Sequence, residues 1–83
     1  MDVKDVIRQF IHAELLYEKE NIRLDDTTQL LDTGILDSLG IMKLLPFLEE
    51  TFSIRVNEEE LIPENFECID TISHLIVKKT NSS

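Results

Sequence analysis

Residues 38–51 read SLGIMKLLPFLEET, and the apolar side chains in and just after this stretch recur at helical spacing. Residues at i, i+3, i+4, i+7 and i+11 share one helix face, and here they are Ile41, Leu44, Leu45, Leu48 and Phe52. The pattern predicts a central helix over residues 38–51 that packs this face against a core. Pro46 removes one intrahelical hydrogen bond, yet the pattern stays in phase beyond it, so we expect one kinked helix.

The segments on either side of the central helix also show helical patterns. A first helix is predicted over residues 2–17, where apolar residues recur at spacings of three and four. A short helix is predicted over residues 63–66, because proline is favoured at the first helical position. The last helix is predicted from Thr71 to about Lys79, with Asp70 as its N-cap. The sequence therefore predicts an all-α fold, a small four-helix bundle with three main helices and one short helix.

Chain length, charge and cysteine content restrict what the protein can be. The chain of 83 residues suits one domain over residues 1–83, with residues 80–83 as a frayed tail. The formal net charge of −9 disfavours nucleic acid and anionic membranes as partners and favours proteins with basic patches. Cys68 has no second cysteine to pair with, and the sequence shows no secretory signal or membrane-spanning stretch. We therefore expect a monomeric cytoplasmic protein.

A long connection, residues 18–37, separates the first two helices and mixes turn-forming residues with apolar ones. Its apolar members are Ile22, Leu24, Leu30, Leu31, Ile35 and Leu36. So many aliphatic side chains predict a loop that is pinned onto the core. Gly34 is expected to supply a backbone angle that a side chain would disfavour.

Ser38 is the residue on which the functional interpretation depends, because it lies where this loop becomes the central helix. One interpretation is a simple N-cap, since serine is favoured there, although Asp37 could cap equally well. The other is a handle to which a second enzyme attaches a group. Catalysis by the chain itself is not expected, because the sequence shows no triad, no phosphate-binding glycine loop and little room for a water-excluding cleft.

A family resemblance bears on this choice. Residues 30–39, LLDTGILDSL, resemble the attachment region of acyl carrier proteins and related peptidyl or aminoacyl carrier domains, and the resemblance extends to the last helix. It implies a four-helix fold in which Ser38 is joined to 4′-phosphopantetheine from coenzyme A by a phosphopantetheinyl transferase. Asp37 and Leu39 would be the recognition neighbours of this cofactor site.

The resemblance also implies a surface that contacts partner enzymes. Leu39 and Met42 would be its apolar centre, and Glu49, Glu50 and Glu58 its acidic contacts. The alternative for each glutamate is an ordinary solvated surface acid.

The sequence departs from the pattern of many fatty-acid carriers, which have acids at the positions of Gly40 and Lys43. Pro46 and residues 58–66 are more similar to stand-alone carriers that work beside adenylating ligases. We therefore expect a discrete carrier of acyl or aminoacyl thioesters in a specialised biosynthetic pathway. Its expected partners are the transferase, an acyl- or aminoacyl-activating ligase, and a downstream acyltransferase or synthase. The alternative is an acidic helical protein–protein interaction module without a prosthetic group.

Overall fold

The computed structural model describes residues 2–16 and 23–81 of the chain. Within them it contains three α-helices, one π-helical turn and two 3-10 turns, and no strand. In chain order these are α1 (Val3–Phe10), the π turn (Ile11–Leu15), α2 (Ser38–Phe52), the 3-10 turns Glu58–Glu60 and Pro63–Asn65, and α3 (Ile69–Asn81). The predicted all-α bundle is confirmed, and a 3-10 turn at Pro63–Asn65 takes the place of the short helix.

The first helix is shorter and less regular than its pattern predicted. Asp2 caps α1 by accepting a hydrogen bond from the Lys4 N–H at 3.2 Å. After Phe10 the helix widens into the π turn, in which the Leu16 N–H donates to the Ile11 carbonyl at 2.9 Å. A π turn places residues five positions apart on the same side of the helix, so Leu16 and Ile11 are both buried in the core. The predicted end of this helix at residue 17 lies outside the described residues.

The central helix is continuous, as predicted, and ends one residue later than expected. Leu44 and Leu48 are fully buried, and the other residues of the predicted face are half-buried against the core. Pro46 lies inside α2 on its exposed side and does not interrupt it. The helix ends where Ser53 adopts a left-handed conformation with φ 54° and donates its N–H to the Glu49 carbonyl.

The described part of the long loop, residues 23–37, is pinned onto the core as predicted. Leu24, Leu30 and Leu36 are buried, and the Leu30 N–H donates to the Glu67 carbonyl at 2.7 Å. Leu31 and Ile35 are half-buried against the same core, and Ile22 lies outside the described residues.

Four ionic side chains fasten the start of this loop to α1 and α3. The Lys4 ammonium lies 2.6 Å from Asp70 and 3.6 Å from Asp26, and the Arg8 guanidinium also bonds Asp26. The Arg8 Nε donates to the Leu24 carbonyl at 2.9 Å. We call Lys4, Arg8, Asp26 and Asp70 the charged junction. Lys4 and Arg8 connect α1 to Asp26 of the loop, and Lys4 also connects α1 to Asp70 of α3, so the junction holds the three segments together.

The start of the last helix corrects a prediction. α3 begins at Ile69, so Asp70 lies in its first turn and is not the N-cap. The Thr71 hydroxyl accepts the Cys68 N–H at 3.2 Å, which is the contact that an N3 side chain makes in a capping box. The Asp70 N–H donates to the Asp26 carbonyl at 3.0 Å, so the loop satisfies one of the first-turn amides of α3.

The other end of α3 extends further than expected. The helix runs through Thr80 to Asn81, inside the segment predicted to fray, while the last two residues lie outside the described chain. Lys79 forms an ion pair with Glu60 at 2.5 Å, which ties this end of α3 to the first 3-10 turn. None of the helices in the described residues is both long and apolar enough to cross a bilayer.

Candidate functional site

Ser38 is the first residue of α2, and Asp37 is the residue that caps the helix. The Asp37 Oδ1 accepts the Gly40 N–H at 2.8 Å, and the Asp37 carbonyl accepts the Ile41 N–H at 2.9 Å. The Ser38 side chain is exposed, and its hydroxyl makes no hydrogen bond within the described residues. The capping interpretation therefore applies to Asp37, which leaves the Ser38 hydroxyl accessible.

The backbone around Ser38 suits an anionic group. A helix leaves the first few amide N–H groups without intrahelical acceptors, and they form the positive end of its dipole. The Asp37 side chain accepts the Gly40 N–H, while the amides of Ser38 and Leu39 have no acceptor within the described residues. A phosphate ester on the Ser38 oxygen would lie beside these amides, so the residues present fit a phosphopantetheine group.

The loop before Ser38 holds this helix start in place. Gly34 has φ +77°, the left-handed conformation predicted for it, and its N–H donates to the Leu31 carbonyl at 3.1 Å. The Leu36 N–H donates to the Leu30 carbonyl at 2.9 Å, and both leucine side chains are buried. The chain therefore enters α2 from an anchored turn.

The exposed face of α2 next to Ser38 is apolar. The Leu39 and Met42 side chains are 70% and 69% exposed, whereas the other exposed large hydrophobic residues of the described chain reach 42–44%. Residues 38–48 contain no Asp or Glu, and Lys43, which follows Met42, is exposed. Large apolar side chains this exposed beside a candidate attachment serine are typical of a protein-binding surface.

The three glutamates predicted as acidic contacts differ in their surroundings. The Glu49 carboxylate is half-buried and accepts the Val56 N–H at 2.9 Å, so it stabilises the turn that follows α2. The side chains of Glu50 and Glu58 are exposed and make no hydrogen bond or ion pair within the described residues. Contact of any of the three with a partner stays a prediction, and the Glu49 carboxylate has a structural role in this turn that neither interpretation included.

Sequence reasoning missed the electrostatic partners that brace the fold. A hydrogen bond from Lys4 to Asp70 and the charge of that aspartate raise the pKa of Lys4 above its ordinary value. A hydrogen bond from Lys79, helped by the Asn57 N–H, lowers the pKa of Glu60. The sequence showed that both signs of charge were present, but not which residues, 19 positions apart in the second case, would pair.

Comparisons with known proteins agree with this geometry. The family model described as "Phosphopantetheine attachment site" matches residues 5–76. A D-alanyl carrier protein of Streptococcus suis is 35% identical over 78 residues, which cover 94% of this chain and 95% of that protein.

Solved structures show the same similarity. The structure of KstB-PCP in its apo form superposes with a TM-score of 0.78 at 35% identity, covering 96% of this chain and 88% of that one. A chain from the crystal structure of an FAD-dependent dehydrogenase superposes with a TM-score of 0.74 at 38% identity, covering 84% of this chain and 97% of that one. The family match, the curated relative and these folds lead to one conclusion: the chain belongs to the phosphopantetheine-binding carrier proteins, whose prosthetic group is a covalently attached 4′-phosphopantetheine.

Proposed function

We propose that Ser38 is the residue that carries 4′-phosphopantetheine and that the chain is a discrete carrier of acyl or aminoacyl thioesters. One observation carries the assignment: Asp37 caps α2 through its Oδ1, so the exposed Ser38 hydroxyl has no role in closing the helix. The family match supports it over an interaction module without a prosthetic group. Like its family, the chain itself would not be catalytic.

The residues around Ser38 have separate roles in the attachment. The Ser38 oxygen forms the new phosphoester bond and loses its proton, while the pyrophosphate bond of coenzyme A breaks and adenosine bisphosphate leaves. The unpaired amides at the start of α2 stabilise the phosphodiester charge. Asp37 fixes the first turn, and Leu39 offers apolar contact to the transferase. When attached, the group supplies a terminal thiol that holds the cargo as a thioester.

Intact-mass measurement tests the attachment. The protein is incubated with coenzyme A and a broad-specificity phosphopantetheinyl transferase, and we expect a gain of one phosphopantetheinyl group. Ser38→Ala should abolish the gain. Ser53→Ala is the matched control, since Ser53 is also an exposed serine at an end of α2. Unmodified wild-type protein, or modification that survives Ser38→Ala, contradicts the proposal.

For the cargo, we propose an amino acid delivered by an adenylating ligase. The support is the similarity to a D-alanyl carrier protein, whose name gives an amino acid as its cargo, and to KstB-PCP. The holo-protein would be purified from its own host, its thioester released with hydroxylamine, and the product identified by mass spectrometry. An amine-containing product is expected, and a simple fatty acyl product would contradict the aminoacyl assignment.

The remaining partners are the enzymes that would modify, load and unload the carrier. The transferase, the activating ligase and a downstream acyltransferase or synthase would all act on the chain in the cytoplasm. A flavin-dependent dehydrogenase is a second candidate for the downstream enzyme, because a chain 38% identical to this one belongs to the crystal structure of such an enzyme. Bleaching of flavin absorbance when the loaded carrier is mixed with that dehydrogenase would support it, and unchanged absorbance would contradict it.

A further inference from the structure

Gly40 lies at a close contact between the start of α2 and the end of the first helical segment. It is buried, although its neighbours Ser38 and Leu39 are exposed. A Cβ atom on Gly40 would lie 3.2 Å from Leu36 Cδ1 and 3.4 Å from both Leu15 Cδ1 and Asp37 Oδ1. Carbon atoms in ordinary contact lie farther apart than the first of these distances. A methyl group at residue 40 would therefore crowd Leu36, Leu15 and Asp37 unless these side chains or the first turn of α2 shift by a few tenths of an ångström.

The π turn explains why Leu15 reaches this position. The widened turn keeps Leu16 in the core while Leu15, at its last residue, stays half-buried beside Gly40. Leu36 is 1% exposed and has little freedom to move away from an added methyl group. Crowding at residue 40 would consequently be relieved by a shift of the first turn of α2, which contains Ser38 and receives the Asp37 cap.

We propose that Gly40 is a positioning residue for the modification reaction, because its close contact with Leu15 of the π turn and with Leu36 sets the orientation in which Ser38 meets the transferase. The inference rests on the attachment at Ser38 proposed above.

The test compares Gly40→Ala with the double variant Gly40→Ala/Leu15→Ala, using coenzyme A and a broad-specificity transferase. We expect Gly40→Ala to lower kcat/KM for modification about fivefold, because small displacements of a reacting group are costly. The double variant should recover most of that loss, since truncation of Leu15 makes room for the added methyl. Leu15→Ala should also lower the unfolding temperature by opening a cavity. The double variant would then be modified faster than Gly40→Ala although it is less stable. A merely structural role of Gly40 does not predict that combination.

Ile76→Val is the control. Ile76 is fully buried in α3, so this change lowers stability without crowding the first turn of α2. It should lower the unfolding temperature and leave kcat/KM near the wild-type value. The amide NMR signals of Ser38 and Leu39 should shift in Gly40→Ala and return toward wild type in the double variant.

Two outcomes would overturn the inference while the attachment itself stands. Gly40→Ala could be modified at the wild-type rate, or the double variant could be slower than Gly40→Ala. Failure of the wild-type protein to be modified, or modification of Ser38→Ala, would instead reject the attachment proposal.

Discussion

The charged junction and the exposed face of α2 use their side chains in opposite ways. At the junction, Lys4 and Arg8 contact the carboxylates of Asp26 and Asp70, so the charges there satisfy each other. On α2, Leu39 and Met42 are about 70% exposed and contact little of the rest of the chain. The net charge of −9 thus does not show which surface binds partners. Part of the acidity braces the fold, and the surface beside Ser38 is apolar.

The largest expected effect concerns the exposed apolar side chains of α2. Leu39→Ala or Met42→Ala should lower kcat/KM for modification or loading by up to about 30-fold, since a central interface residue contributes about 2 kcal/mol. Their free energies of unfolding should change by less than about 0.5 kcal/mol, because both side chains are exposed. Thr51→Ala, at an exposed position near the other end of the same helix, is the control and should affect neither quantity. Unchanged kinetics in both apolar variants would show that partners bind elsewhere.

The second prediction breaks the charged junction. Arg8→Ala should lower the free energy of unfolding by about 1–2 kcal/mol, because it leaves the Leu24 carbonyl and the Asp26 carboxylate without this donor. Arg23→Ala is the matched control. Arg23 is 88% exposed and bonds only the exposed Asp25 within the described residues. Its substitution should therefore change the free energy of unfolding by close to zero. Urea unfolding of both variants measures the difference. Equal free energies of unfolding would contradict a structural role for the junction.

The third prediction concerns the pH dependence of the ion pair between Glu60 and Lys79. Because Lys79 lowers the pKa of Glu60, their contact contributes stability above the ordinary value of 4.5 and loses it as the pH falls through the lower folded value. The difference in unfolding temperature between wild type and Glu60→Gln should therefore be greatest near neutral pH and shrink below about pH 4.5. Lys79→Met, which removes the same ion pair, should reproduce this dependence. A constant difference from pH 3 to 7 would rule out the ion pair as its cause.

The smallest effect concerns salt. If Leu39 and Met42 dominate partner binding, kcat/KM for loading should change less than about threefold between low and high salt, since apolar contacts are not screened. A much steeper decline, with an unchanged unfolding temperature, would show that exposed acids such as Glu50 and Glu58 steer the partner. Stopped-flow or quenched loading at several salt concentrations separates the two.

The places where prediction failed share a physical cause. The sequence pattern located α2 to within one residue because its apolar face is periodic and long. It misplaced the start of α3 because Thr71 and the Asp26 carbonyl satisfy that helix end, and a distant loop cannot be recognised from local capping preferences. It also missed the π turn, since the extra residue serves the burial of Leu16 in the assembled core.

The sequence by itself determined the helical pattern, the pinned loop and the candidate serine, because periodicity, turn residues and a family resemblance are local properties of the chain. The tertiary structure decided that Asp37 caps α2 and leaves the Ser38 hydroxyl free. It also decided which charges pair at the junction and that Leu15 lies close to residue 40. The cap depends on the backbone conformation at Asp37, whereas the ion pairs and the position of Leu15 depend on distances between segments far apart in sequence, which packing in the folded chain sets.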